Sequence, residues 1–158
     1  MSKTCDHHNH HNCLEELRAD HEVILKELDL LEKAATGPKV DREQVEKFLH
    51  FTETFAEPHH KKEETVLFPE LEKRGIPKDG GPIGVMLFEH EIKRGYVRDL
   101  REALEKNQEK QMKEKGLVIV DILREHIDKE NNILYPMAES VLSKEDLESF
   151  AERCREIK

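Results

Sequence analysis

His59-His60-Lys61-Lys62-Glu63-Glu64-Thr65-Val66-Leu67-Phe68-Pro69 returns downstream as His126-Ile127-Asp128-Lys129-Glu130-Asn131-Asn132-Ile133-Leu134-Tyr135-Pro136. A shorter phrase, His21-Glu22-Val23, returns as His90-Glu91-Ile92, and the spacing to the longer phrase is nearly the same in both halves. The chain is therefore one unit written twice, each copy giving a lone histidine and then a His-x-x-x-Glu pair. Residues four apart lie one turn above each other on the same helix face. Each copy reads as a helical hairpin, and docking the two hairpins buries both sets of side chains in one core.

The surrounding periodicity agrees. Leu14, Leu17, His21, Ile24, Leu28, Leu31 and Ala35 alternate steps of three and four, the pattern of a packed helix face. Asn12 with Glu15 offers a capping box at its start, and Gly37-Pro38 stops it. A second helix opens at Asp41, with Gln44 at the box position, and carries Val45, Phe48, Thr52, Phe55, His59, Glu63 and Val66. Pro58 is expected to kink it, because the ring removes a backbone donor and crowds the turn before it. After the turn-rich stretch from Gly75 to Pro82, a third stripe runs through Ile83, Met86, His90, Val97, Leu100 and Leu104. The fourth has Ile119, Leu123, His126, Glu130, Ile133 and Met137. Ser143 with Asp146 caps a short terminal helix through Phe150 and Ile157. The expected fold is all-α: an antiparallel up-down-up-down four-helix bundle with a short extra C-terminal helix. Residues 1–12 read as a flexible His/Cys-rich tail and 13–158 as the bundle.

Composition narrows the function classes. The 158 residues suit one domain, and a charged fraction of 39% suits long solvated helices. A net charge of -9 argues against nucleic acid or anionic lipid as partner. No run approaches the ~18 apolar residues that span a bilayer, and no signal-like stretch opens the chain, so the expected address is the cytoplasm. Cys5, Cys13 and Cys154 are too few for a disulfide framework.

Four imidazoles and two carboxylates converging in a core without a partner would cost several kcal/mol for the ionised ones alone, a cost that a pair of cations removes. Two metal ions fit the count: each takes two of His21, His59, His90 and His126, and both share Glu63 and Glu130. Mixed nitrogen and carboxylate ligation suits iron, manganese or zinc, and no core cysteine points to a cluster. With an oxo or hydroxo bridge each ion has five donors and about one open position, which is room for a small molecule. His60 with Glu64 is a rival register for the second-helix pair. His59 and Glu63 are preferred because they continue the stripe and stand at the same offset from Pro69 as Glu130 does from Pro136. His11 with Glu15 straddles a helix start and is set aside.

Asp20-His21-Glu22, the His59-to-Pro69 phrase, Glu89-His90-Glu91 and His126-x-x-x-Glu130-x-x-Ile133-Leu134-Tyr135-Pro136 together resemble the hemerythrin-like, or HHE cation-binding, family over residues 13 to about 140. The resemblance implies an oxo-bridged di-iron centre that binds dioxygen or nitric oxide. It also implies histidine ligands at 21, 59, 90 and 126 with carboxylate bridges at 63 and 130. Oxygen-carrying relatives have a fifth histidine one turn after the third-helix histidine, where this chain has Arg94. That departure weakens the carrier reading, and a cation there could stabilise an anion such as superoxide or peroxide. Four-histidine versions resemble iron-sulfur repair proteins and iron-responsive domains, although typical repair proteins add an N-terminal domain with adjacent cysteines.

The leading expectation is a di-iron protein that binds or reacts with dioxygen, nitric oxide or peroxide in sensing or protection, as a monomer or homodimer. The alternative is an enzyme or repair factor that reduces nitric oxide or peroxide, or restores iron-sulfur centres. A plain helical scaffold with incidental histidines is the third. Glu22 and Glu91 are candidate hydrogen-bond partners for the imidazoles. Phe48, Phe55, Phe88 and Met137 read as core, Tyr135 as core with a smaller prospect of a ligand or redox phenol, His50 as surface and Cys154 as half-buried. The tail cysteines with His7, His8, His10 and His11 offer either a soft chelating arm or a solvated segment.

Overall fold

The computed structural model describes residues 12–157, and among these the chain is helical throughout, with no strand. Helix α1 is Cys13–Thr36, begun by the Asn12 side chain accepting from the backbone N–H groups of Leu14 and Glu15. Helix α2 is a composite: α-helical pieces Arg42–Phe51, Glu57–Lys62 and Phe68–Lys73 joined by π-helical turns Thr52–Ala56 and Glu63–Leu67. Helix α3 is Pro82–Glu105. Helix α4 runs Glu109–Lys129, a π turn Glu130–Leu134, then Tyr135–Val141. Helix α5, Lys144–Arg155, opens with the full Ser143–Asp146 capping box. Contacts join α1 to α2, α2 to α3, α3 to α4 and α4 to α1, closing a ring, and α5 lies on α1 and the second π turn of α2. Among the described residues no helix is long and apolar enough to cross a membrane.

The three π turns share one cause. Glu57, Phe68 and Tyr135 each precede a proline, and each donates to the carbonyl five residues back, on Thr52, Glu63 and Glu130. A proline has no N–H, and its ring crowds the carbonyl four residues back. Widening the turn to five-residue spacing moves that carbonyl aside, so Pro58 is accommodated by a π turn where a simple kink was expected. The last two π turns begin at Glu63 and Glu130 themselves.

The extra residue also shifts the buried stripe. Ile133, expected in the core, is 54% exposed, while Leu134 and Tyr135 are buried in its place. Phe88 was expected in the core as well and is 65% exposed. It stands two residues from both Met86 and His90, which puts it on the far side of α3. Phe48 is buried and Phe55 and Met137 are half-buried; Cys154 is fully buried, and His50 is exposed as expected.

The apolar core comes in two parts. One gathers Leu14, Leu17, Val66, Leu67, Phe68, Ile83, Met86, Leu134, Tyr135 and Phe150. The other gathers Ile24, Leu28, Phe48, Ala56, Leu100, Ile119, Leu123 and Ile127. On each long helix the buried histidines and glutamates fall at or next to the point where one set gives way to the other.

Candidate metal centre

Among the described residues, the buried polar and charged ones are His21, Thr52, His59, His60, Glu63, His90, Lys93, His126 and Glu130. All six residues expected at the centre are among them. One donor atom from each of His21, His59, Glu63 and Glu130 lies within 4.8 Å of the others, and Glu63, His90, His126 and Glu130 form a second such group. Both glutamates belong to both groups. The two imidazoles of each group come from neighbouring helices of one hairpin, α1 with α2 and α3 with α4.

Each of these four imidazoles is held from behind. The Nδ1 atoms sit on hydrogen-bonding oxygens: His21 on Asn131 Oδ1 at 2.8 Å, His59 on Asp20 Oδ2 at 2.9 Å, His90 on Glu64 Oε2 at 2.7 Å and His126 on Glu89 Oε1 at 2.8 Å. An Nδ1–H donated outward leaves Nε2 as the inward donor atom, with the ring's orientation fixed. The Nε2 atoms accordingly face the two carboxylates: His21 to Glu130 Oε1 at 3.0 Å, His126 to Glu130 Oε2 at 3.2 Å, His90 to Glu63 Oε1 at 3.3 Å and His59 to Glu63 Oε2 at 3.7 Å. Tyr135, fully buried, donates its hydroxyl to Glu63 Oε2 at 2.5 Å. Burial and the neighbouring carboxylates Glu130 and Glu63 push that phenol well above its ordinary pKa, so it stays a donor.

Charge at the metal-free centre follows the same geometry. Burial opposes protonation of His126, but the charge and hydrogen bond of Glu130, with Glu89 behind, raise it to about 10. His21 and His90 are raised against burial in the same way, by Glu130 and by Glu63 with Glu64. Burial would raise Glu130, yet His126 and His21 hold it well below the usual carboxylate range. The His126 imidazole therefore carries a proton at neutral pH that an incoming cation must displace. Metal uptake at pH 7 is therefore expected to release protons, and affinity to strengthen as pH rises toward about 10, where His126 loses its own. A pH-indicator dye in weakly buffered solution would record the release; uptake without proton release would contradict it.

The fit to a cation rests on the atoms left over. Among the described residues, the buried side-chain nitrogens and oxygens lacking a hydrogen-bond partner are His59 Nε2, both nitrogens of His60, Glu63 Oε1, His90 Nε2, His126 Nε2 and Glu130 Oε2. Every one belongs to this cluster. Buried polar atoms are otherwise nearly always paired, and hard or borderline cations suit this mixed nitrogen and oxygen set.

The hemerythrin HHE cation binding domain matches residues 12–138, from the cap of α1 to the last piece of α4. The chain belongs to this hemerythrin HHE family. No curated protein matches it. The family match takes in all six candidate residues and leaves α5 outside. A buried His/Glu cluster in a hemerythrin HHE domain fits a metal site.

Several expectations change. Glu22 is exposed and Glu91 pairs with Arg94 at the surface, so neither holds an imidazole. The outer partners are instead the residues before each lone histidine, Asp20 and Glu89, and those after each shared glutamate, Glu64 and Asn131. The repeat held this signal at offsets of minus one and plus one. Of the rival pair His60 and Glu64, Glu64 lies outside both donor groups, half-buried behind His90 and held down to about 2, where its hydrogen bonds to His90 and Arg94 outweigh burial. Arg94 reaches Glu57 at 2.6 Å, Glu64 at 3.0 Å and Glu91 at 2.5 Å, so its charge is absorbed by carboxylates. Among the described residues the buried cation is Lys93, 2% exposed, 3.9 Å from Glu57 and lowered by burial to about 8. The chelating-arm reading of Cys5 and the tail histidines lies outside the described residues. Removing an outer carboxylate, Asp20→Ala or Glu89→Ala, is expected to weaken metal binding by about 10- to 100-fold in a competition titration with a coloured chelator. Unchanged affinity would mean that the inner donors need no such support.

Proposed function

We propose that this chain is a non-haem di-iron protein that binds or reacts with dioxygen, nitric oxide or peroxide, in sensing or protection. His21 and His59 would hold one ion and His90 and His126 the other, with Glu63 and Glu130 shared; manganese or zinc would suit the same donors. The observation that carries this reading is the pair of four-donor groups with both glutamates in common. Bound iron would supply one-electron chemistry and open coordination positions for a small ligand. The protein's own part is to fix and shield. The four Nδ1 partners orient the imidazoles, and the Tyr135 hydroxyl holds its proton toward Glu63 Oε2. Ile24, Ala56, Leu123 and Ile127 line the cavity beside His21 and His59, an apolar wall that keeps water out.

The bundle is proposed to be antiparallel, up-down-up-down, with 13–158 as one unit. In support, one core cluster collects the start of α1, the end of α2, the start of α3 and the end of α4.

The test is optical. Ferrous iron added without oxygen, followed by air, nitric oxide or peroxide, is expected to produce new ligand-to-metal charge-transfer absorption. A spectrum indifferent to all three would remove the small-ligand reading while leaving metal binding to be judged separately.

A further inference from the structure

His60 is the one buried imidazole at the centre with no assigned part. It is 2% exposed, and both of its ring nitrogens lack a hydrogen-bond partner. The four imidazoles discussed above each have an Nδ1 anchor; His60 has none. A histidine serving only as core would be expected to hydrogen-bond or to give way to an apolar residue, because an unpaired buried polar group costs about 1–3 kcal/mol. Its alternative partner, Glu64, is committed to His90 and Arg94. His60 also lines the same cavity as His21, His59, His126 and Glu130.

We propose that His60 supplies a third imidazole to the His90–His126 side of the metal centre, a reading that rests on the metal site proposed above. Ring positions favour that side. The two imidazoles sharing a donor group have centroids 4.9 Å apart in both groups, His21 with His59 and His90 with His126. His60 lies 4.1 Å from His90, closer than either of those pairs, against 5.7 Å from His59. Its Nδ1 is 3.9 Å from Glu63 Oε1, the oxygen that faces His90 Nε2. The other oxygen of Glu63 faces His59 and Tyr135. His60 stands outside the two tight groups of four, so joining one draws its ring inward by side-chain rotation.

The consequence is an asymmetric pair: three imidazoles on one ion and two on the other. The open coordination position then falls on the His21–His59 side, next to Ile24, Ala56, Leu123 and Ile127.

Cobalt(II) tests this without any turnover. Each coordinated imidazole contributes one strongly shifted, solvent-exchangeable N–H proton resonance. The full chain loaded with cobalt is expected to show five, and His60→Leu four. In a stepwise cobalt titration His60→Leu should still take up two ions, with one step weakened about tenfold or more and its visible absorption altered. His50→Leu, at the surface, is the control and should match the unaltered protein. Four resonances in the unaltered protein, or identical titrations with and without His60, would overturn the proposal. Should His60→Leu not fold, the count in the unaltered protein decides. Failure of the unaltered protein to bind cobalt at all would instead sink the metal site itself.

Discussion

Glu130→Gln is expected to release both metal ions at once, whereas His21→Leu should release only one. The difference follows from membership: Glu130 belongs to both donor groups, and His21 to one. Glutamine keeps the shape of the side chain and can still hydrogen-bond the imidazoles, but its neutral amide is a poor ligand. The helical fold should persist while affinity at each position falls by more than ~100-fold, beyond what the loss of an outer partner does. Metal content after gel filtration, read beside far-UV circular dichroism, measures both halves of the expectation. Retention of one tightly bound ion by Glu130→Gln would show that the carboxylate is not shared. The His126 imidazole should also lose most of its raised basicity in this variant, because Glu130 is the chief group holding the proton there.

Heat resistance should depend on the metal to a similar degree. Without a cation the centre buries two carboxylates and five imidazoles, several with unpaired atoms. Ions that bind only the folded state add RT ln(1 + [L]/Kd), about 4 kcal/mol for a site at a thousandfold excess over Kd. A domain of this size gains about 2–4 °C per kcal/mol, so two filled positions should raise the melting temperature by roughly 15–30 °C. Calorimetry in excess zinc and again in excess chelator measures the difference. Matching melts would mean that the buried charges are neutralised by the protein alone.

The helices and the identity of the inner residues were legible because both are periodic. Leu14 to Ala35 gives an unbroken three-four stripe, and every residue of it is buried. The doubled His-x-x-x-Glu singled out the six residues that converge, since chance rarely repeats a spaced pair of that kind. The π turns were not legible in the same way. A stripe drawn at 3.6 residues per turn assumes that no residue is inserted, and the turns before Pro69 and Pro136 break that assumption just where Glu63 and Glu130 begin. Ile133 was misplaced for that reason. The outer hydrogen bonds were hidden for another: Asp20 serves His59 and Glu89 serves His126, each across to the next helix, so no spacing along one helix could reveal them. His60 was seen only as a competitor for the place of His59, because a sequence orders candidates and a packed core can use both.

Stoichiometry is the most direct measure of the shared centre. Metal-free protein titrated with ferrous iron under anaerobic conditions, and analysed for iron per chain after removal of excess, should hold two. Zero or one per chain, or two held equally well after both His21 and His90 are replaced by leucine, would contradict the paired site.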